Sequence, residues 1–200
     1  MTVQELTPGF SDPVRDAAVS FRCLLNAMSR PGLVRALPVQ PDCPAPFNAG
    51  ATVIALSLLD ADTTVWVADS LASPVVTAHI AFHTGAKPVA TVGDAAFVFA
   101  PIAELPELLP QLSIGTPEYP DRAATLIALV DGFGGAEERR LSGPGIDGNT
   151  EMAPIGLNAA GWDVLAMNAG LFPLGVDTFF AGPSSVAALP RSTRISPNAA

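Results

Sequence analysis

The run Ala124-Thr-Leu-Ile-Ala-Leu-Val130 limits the possible folds of this chain more than any other stretch. It is apolar at nearly every position and too short for an ordinary helix, so it reads as a buried strand. A strand of that kind belongs in a sheet covered by other layers. Thr64–Ala68 and Ala96–Ala100 are further strand candidates, and Val176–Phe180 with Ser185–Leu189 read as a final strand pair.

Helical patterns lie between these runs. Asp12-Pro13-Val14 opens one: Asp is a good N-cap, and proline at the first helical position loses no needed hydrogen bond. Val14, Ala17, Phe21, Leu24, Leu25 and Met28 follow at helical spacing, and Pro31-Gly32 stops the pattern. A more apolar helix is expected over 48–59. Ser73-Pro74-Val75 repeats the start signal, with Gly85 at the far end. Residues 102–112 suggest a short helix and 159–169 a longer one. Gly132-Phe-Gly-Gly135 is read as a tight turn that leads the strand at 124–130 into a hairpin partner beginning at Arg139, which Gly143-Pro144-Gly145 ends.

The expected architecture is α/β, a mixed β-sheet flanked by helices. No linker divides the chain, so residues 1–200 are expected to form a single domain, with a loosely ordered tail after about residue 194.

The chemistry available is sparse. Charged residues make up 14% of the chain against 49% hydrophobic, which suggests that a partner covers part of the surface. The net charge is −9 with ten basic residues, so a nucleic-acid face or an electrostatic grip on an anionic membrane is disfavoured. Cys23 and Cys43 have no zinc-like spacing and suggest neither a disulfide framework nor a metal site. The opening MTVQELTPGFSDP has no basic segment followed by an apolar one, so a signal peptide is not expected and the cytoplasm is the default location.

His79 and His83 are the two histidines, four residues apart on one helical face. Metal binding would need further ligands, and residue 80 is Ile where a zincin would carry Glu. The plainer expectation is that one histidine bonds a neighbouring strand or subunit while the other is solvated. A general acid/base role for His83 stays open, since histidine titrates near neutrality. Lys87, the only lysine, is placed just past a helix end, which suits the helix dipole better than Schiff-base chemistry. The Gly-rich segments 132–135 and 143–148 match no phosphate-binding loop, and turn geometry explains them better. Asp60 and Asp62 suit a polar turn. Arg22, Arg191 and Arg194 stand in apolar or proline-bounded surroundings, where a planar guanidinium can pair structurally, meet a partner or bind an anion.

Several separated segments form an ordered set: Phe21-Arg22-x-Leu24-Leu25-x-Ala27-Met28-Ser29-x-Pro31-Gly32, Phe82-His83-Thr84, Gly115-Thr116 with Pro120, and Ala123-Ala124-Thr125-Leu126-Ile127. Leu141-Ser142-Gly143-Pro144-Gly145-Ile146, Phe172-Pro173-Leu174-Gly175-Val176-Asp177 and Leu189-Pro190-Arg191-Ser192-Thr193 complete it. In this order they resemble the PhnH family, a subunit of the bacterial carbon–phosphorus lyase system for phosphonate breakdown, over about residues 12–194.

That resemblance implies a fold like that of pyridoxal-phosphate transferases but without the cofactor, so no cofactor is expected; the missing ligands around His79 and His83 already argue against a metal. It implies a homodimer that joins PhnG, PhnI and PhnJ in a core complex. That complex attaches a phosphonate to the ribose of ATP and displaces adenine. The resemblance carries no catalytic residue over to this chain. The sequence departs from the family pattern around residues 147–160, where the family's helix is expected to start late.

The first expectation for function is therefore a non-catalytic subunit of the complex. The competing ones are an enzyme acting on a phosphorylated sugar or nucleotide through His83 and an arginine, and a small-ligand sensor or carrier. The residues singled out for an interface or anion contact are Arg22, His83 and Arg191.

Overall fold

A computed structural model describes residues 6–197. The helices begin where their caps dictate. In α1 (Pro13–Ser29) the Asp12 carboxylate accepts from the Arg15 N–H, and in α3 (Pro74–Thr84) the Ser73 hydroxyl accepts from the Val76 N–H. Asn48 and Asn158 cap α2 (Ala49–Leu58) and α5 (Ala159–Ala169) in the same way. Gly85 ends α3 at φ 70°, a left-handed position that glycine adopts without steric cost.

The main sheet has seven strands. In chain order they are β1 (Arg35–Ala36), β2 (Thr64–Val67), β3 (Lys87–Pro88), β4 (Phe97–Pro101), β5 (Thr125–Leu129), β8 (Asp177–Ala181) and β9 (Ser185–Leu189). Their spatial order is β1-β9-β8-β5-β4-β2-β3, which puts β5 at the centre. From β8 to β3 all neighbours are parallel, while β9 runs antiparallel to both β8 and β1. The sheet is therefore mixed and flanked by helices.

The apolar run at 124–130 earns its central place by burying both faces. Leu126 and Ala128 point to one side, where α4 (Leu105–Leu108) and α5 pack with Leu105, Leu108, Trp162 and Leu165. Ile127 points to the other, among Leu24 of α1, Val53 and Ile54 of α2, and Val76 and Ile80 of α3. Ile127 stands in register between Phe99 and Phe179, and Phe47 stacks on Phe99 with ring centroids 5.1 Å apart.

Three expectations are corrected. Arg139–Ser142 forms β6 but does not make a hairpin with β5, because β4 and β8 already occupy both edges of β5. The Gly132–Gly135 turn carries the chain away instead, with Phe133 bridged to Pro154. β6 joins a separate three-stranded sheet with β7 (Thr150–Met152) and β10 (Arg194–Pro197).

Of the tail expected to be loose, Arg194–Pro197 is this last strand and pairs with β6 from Arg194↔Ser142 to Pro197↔Arg139, while residues 198–200 lie outside the described residues. The helix expected over 102–112 is broken into an α-helical turn between two 3-10 turns. Pro110 has no N–H to give the carbonyl four residues back and clashes with it, so the helix cannot run on. Lys87 lies just past the end of α3, as expected, in the two-residue edge strand β3.

Candidate functional site

The carboxyl ends of the parallel strands are where α/β sheets place their ligands, above all where neighbouring strands lead to opposite faces. Here that point lies between β2 and β4. From β2 the chain passes to α3 on the face shared with α1 and α2; from β4 it passes to α4 on the other face. The crevice between them is bridged, since the Ser70 hydroxyl donates to the Glu104 carboxylate at 2.7 Å.

Further along the same edge, Asn48 does two tasks. Its Oδ1 caps α2, and its Nδ2 donates to the carbonyls of Ala181, at 2.7 Å, and Val130, at 3.4 Å. The start of α2 is thereby drawn onto the ends of β5 and β8. Gly50 is required at this contact: a Cβ there would sit 2.7 Å from the Gly182 carbonyl oxygen.

Beside the crevice, a cleft of about 300 Å³ runs between α3 and the β2–β3 edge. It is lined mainly by apolar groups such as Trp66, Val67, Ile80 and Val89, and its one charged side chain is Asp69. A phosphonate or a nucleotide would meet a carboxylate there instead of a cation.

At the opposite end of the sheet Arg191 is committed to its own fold. Its Nε and Nη2 donate to the two oxygens of Asp177 at 3.2 and 2.7 Å, Nη1 donates to the Pro120 carbonyl, and the Arg191 N–H donates to Asp177 at 2.8 Å. This is the planar bidentate pairing that a guanidinium makes and an ammonium cannot. It clamps the strand end of β9 to the start of β8 and to the turn before β5. The neighbouring cleft, about 330 Å³, also holds Asp121 and exposed Phe172.

His79 and His83 do sit on one face of α3, but His79 is buried, His83 is half-buried and neither is hydrogen-bonded to a strand. Both turn to the N-terminal segment, where the Thr7 carbonyl lies 3.2 Å from Nδ1 of His79 and 3.0 Å from Nε2 of His83. Burial, then the neighbouring His83, push the pKa of His79 down, against the Thr7 bond that raises it. Gly9 packs directly on His83: a Cβ there would lie 2.9 Å from its Nδ1. Among the described residues no group of three or more His, Cys, Asp and Glu side chains is arranged to hold a metal.

Arg22 lies on the exposed side of α1, and no described residue bonds or pairs with it. Arg22, His83 and Arg191 therefore occupy three separate places: the outer face of α1, the end of α3 and the end of β9. Arg194 is exposed in β10. Lys87 forms a long, exposed pair with Asp62 at 3.9 Å. Asp60 supports the turn expected of it, accepting from the N–H groups of Asp62 and Thr63.

The Gly-rich segment 143–148 packs against the end of α1, where a Cβ on Gly145 would overlap the Ser29 carbonyl. It walls a cleft of about 260 Å³ with Arg30, Leu33 and Asp147. The sequence places Asn48 only at the start of the helix expected over 48–59; neither its cap nor its reach to Val130 and Ala181, residues 82 and 133 positions away, is read from it.

Fold and site together define a layered α/β protein in which Ser70–Glu104 and Asn48 bridge the carboxyl ends of the parallel strands, and in which the adjoining cleft offers a carboxylate and no cation. The family model described as bacterial phosphonate metabolism protein (PhnH) matches residues 8–196. The chain belongs to the PhnH family. It is 36% identical over 186 residues, covering 93% of each chain, to the protein of Rhizobium meliloti (strain 1021) named alpha-D-ribose 1-methylphosphonate 5-triphosphate synthase subunit PhnH. It is 33% identical over 178 residues, 88% of this chain and 84% of the relative, to HtxG of Stutzerimonas stutzeri, named provisionally as a C-P lyase subunit protein.

Proposed function

We propose that this chain is a non-catalytic subunit of an alpha-D-ribose 1-methylphosphonate 5-triphosphate synthase, the carbon–phosphorus lyase core complex of phosphonate catabolism. One observation carries this reading: the match to a relative named as that subunit spans 93% of both chains. The geometry supports it. The switch-point crevice is bridged by Ser70 and Glu104, the cleft beside it presents Asp69, and Arg191 is neutralised by Asp177.

The remaining features of the reading follow from the family. The chain acts as one PhnH-like domain in the cytoplasm, forms a homodimer when alone, and joins PhnG, PhnI and PhnJ homologues. Its fold is of the pyridoxal-phosphate transferase kind without the cofactor. In support, the sole lysine stands exposed on an edge strand beside Asp62 and does not itself line the cleft that its neighbours Ala86 and Pro88 border. No described helix is long and apolar enough to cross a membrane.

The enzyme alternative, through His83 and an arginine, gains no support from the geometry: His83 is engaged with Thr7, and both candidate arginines lie on other elements. The test is co-expression with the PhnG, PhnI and PhnJ homologues and measurement of the assembly's mass. A stable assembly containing this chain is expected. If the other three assemble without it, the subunit reading fails. Growth on a phosphonate in a deletion strain complemented with His83→Ala should be retained; loss of growth with an intact assembly favours the enzyme reading.

A further inference from the structure

α1 is apolar on two sides, and only one of them faces the protein. Ser20, Leu24 and Ala27 are buried against the sheet and α2. Val14, Ala18, Phe21 and Leu25 form a second stripe, spaced by four, three and four residues, which lies on one line of a helix. This stripe is exposed: Val14 is 84%, Phe21 49% and Leu25 57% accessible. Leu33 and Val34, just past the helix, are exposed as well. Scattered exposed apolar residues need no explanation, but a continuous helical stripe of them does.

Charge distinguishes this stripe from the other exposed apolar groups. Arg15 and Arg22 follow Val14 and Phe21 directly and so line one flank of the stripe seven residues apart. Arg30 stands at its end. All three are exposed, and none has a described side-chain partner, although the chain carries 19 Asp and Glu against ten Lys and Arg. Elsewhere most cations are used: Arg191 by Asp177, Arg139 by Glu137, Lys87 by Asp62, Arg122 by the Tyr119 ring and Arg35 by the Asn26 side-chain oxygen, while Arg140 and Arg194 have no described side-chain partner. An acidic protein has thus left a row of unpaired arginines beside exposed Phe and Leu side chains. Aromatic anchors with arginine at the rim are the usual composition of a protein interface.

We propose that the outer face of α1 is the surface on which another subunit docks. The partner it fits presents an apolar helix or groove to Val14, Phe21 and Leu25, with carboxylates placed to meet Arg15 and Arg22. The occupant is a different chain and not a second copy. An antiparallel twofold pairing of two α1 helices along this stripe would set the arginines of one copy against those of the other, and like charges held together oppose pairing. A membrane is a poor fit, since the few arginines belong to a chain of net charge −9. The assignment rests on the subunit reading above and names the face that reading needs.

The test compares three proteins co-expressed with the PhnG, PhnI and PhnJ homologues: the unaltered chain, Phe21→Ser/Leu25→Ser and Arg15→Glu/Arg22→Glu. Light scattering and native mass spectrometry read the assemblies. All four positions are exposed, so unchanged melting temperatures and circular dichroism are expected for both variants. The unaltered chain should assemble, the apolar double variant should drop out, and the charge-reversed variant should bind at least tenfold more weakly. Raising salt should weaken the unaltered chain and not the charge-reversed one. Should either variant misfold, the other decides alone.

If both variants assemble like the unaltered chain, the α1 assignment is overturned and the subunit reading stands. If the unaltered chain does not assemble, the subunit reading fails and takes this assignment with it. If the apolar variant only converts an isolated dimer to a monomer and leaves the larger assembly intact, the stripe is a seam between two copies and the proposal is wrong.

Discussion

His79 and His83 aim different ring nitrogens at the same oxygen, with Nδ1 of His79 3.2 Å and Nε2 of His83 3.0 Å from the Thr7 carbonyl. A carbonyl can only accept, so each of these nitrogens carries its proton. His79 is thereby fixed as the Nδ1–H tautomer, and its Nε2 is buried without a partner. A second proton would have to sit on that nitrogen, in an apolar surrounding, with the His83 ring centroid 4.4 Å away. This is the physical reason that the pKa of His79 falls below the ordinary histidine value.

The sign of the pH dependence follows. A histidine whose pKa is lower folded than unfolded binds fewer protons in the native state, so stability rises with pH. Its contribution is complete above the unfolded value of about 6.5 and is lost as pH falls toward the depressed folded value. Urea unfolding should therefore show a falling midpoint as pH drops from about 7.5 to 5.5. His79→Asn keeps a donor near the Nδ1 position and removes the titration, so its midpoint should fall less over the same range. Equal slopes for the two proteins would refute this account of His79.

Arg191 and Asp177 predict a loss of stability without a loss of binding function. The pair is largely buried, with side-chain accessibilities of 16% and 23%, and the carboxylate also takes the Arg191 N–H. Asp177→Ala leaves the guanidinium and an amide without their acceptor, which should cost about 2–3 kcal/mol given partial exposure. Arg191→Lys should recover little, because an ammonium cannot make the bidentate contact. A double-mutant cycle in urea measures the coupling, and a value near zero would show that Arg191 is free for a ligand after all.

The local elements were legible because their signals are local. Asp12-Pro13 and Ser73-Pro74 announce helices by chemistry confined to one turn, and 124–130 announces a buried strand by an unbroken apolar run. What failed was pairing. Nothing in Arg139–Ser142 says that both edges of β5 are taken, and nothing in Arg194–Pro197 says that β6 has an edge to offer. Two-residue strands such as β1 and β3 are too short to show any alternation. Of the candidate site residues, Arg191 could be singled out by its setting after Leu189-Pro190, yet its acceptor is 14 positions earlier across a strand pair. The outer stripe of α1 was present in the helical pattern, but periodicity does not tell which of two apolar faces meets the core.

Cys23 should be a slow nucleophile. Burial raises its pKa, and the Arg35 guanidinium opposes the rise only in part. Its thiol points to the Ala36 carbonyl at 3.6 Å. Alkylation by iodoacetamide near pH 7.5, followed by peptide mass spectrometry, should modify Cys23 more slowly than a free cysteine, since the thiolate is the reactive form. Arg35→Met should slow it further. A rate equal to that of free cysteine would show that the thiol is neither buried nor shifted.

Asn48 offers the sharpest test of the tie between α2 and the ends of the central strands. Its side chain caps α2 through the Ala51 N–H and holds the carbonyls of Val130 and Ala181 at the ends of the central strands. Replacing it with Ala removes a cap worth about 1 kcal/mol and leaves a strand-end carbonyl short of its donor at a similar cost, for a total of about 2 kcal/mol. Asn48→Asp should keep the cap and lose the second set of bonds, setting a carboxylate against two carbonyl oxygens. It should be no more stable than Asn48→Ala, although Asp alone is as good a cap. Urea unfolding of the three proteins decides this. If Asn48→Asp is as stable as the unaltered chain, the tie to β5 and β8 contributes nothing.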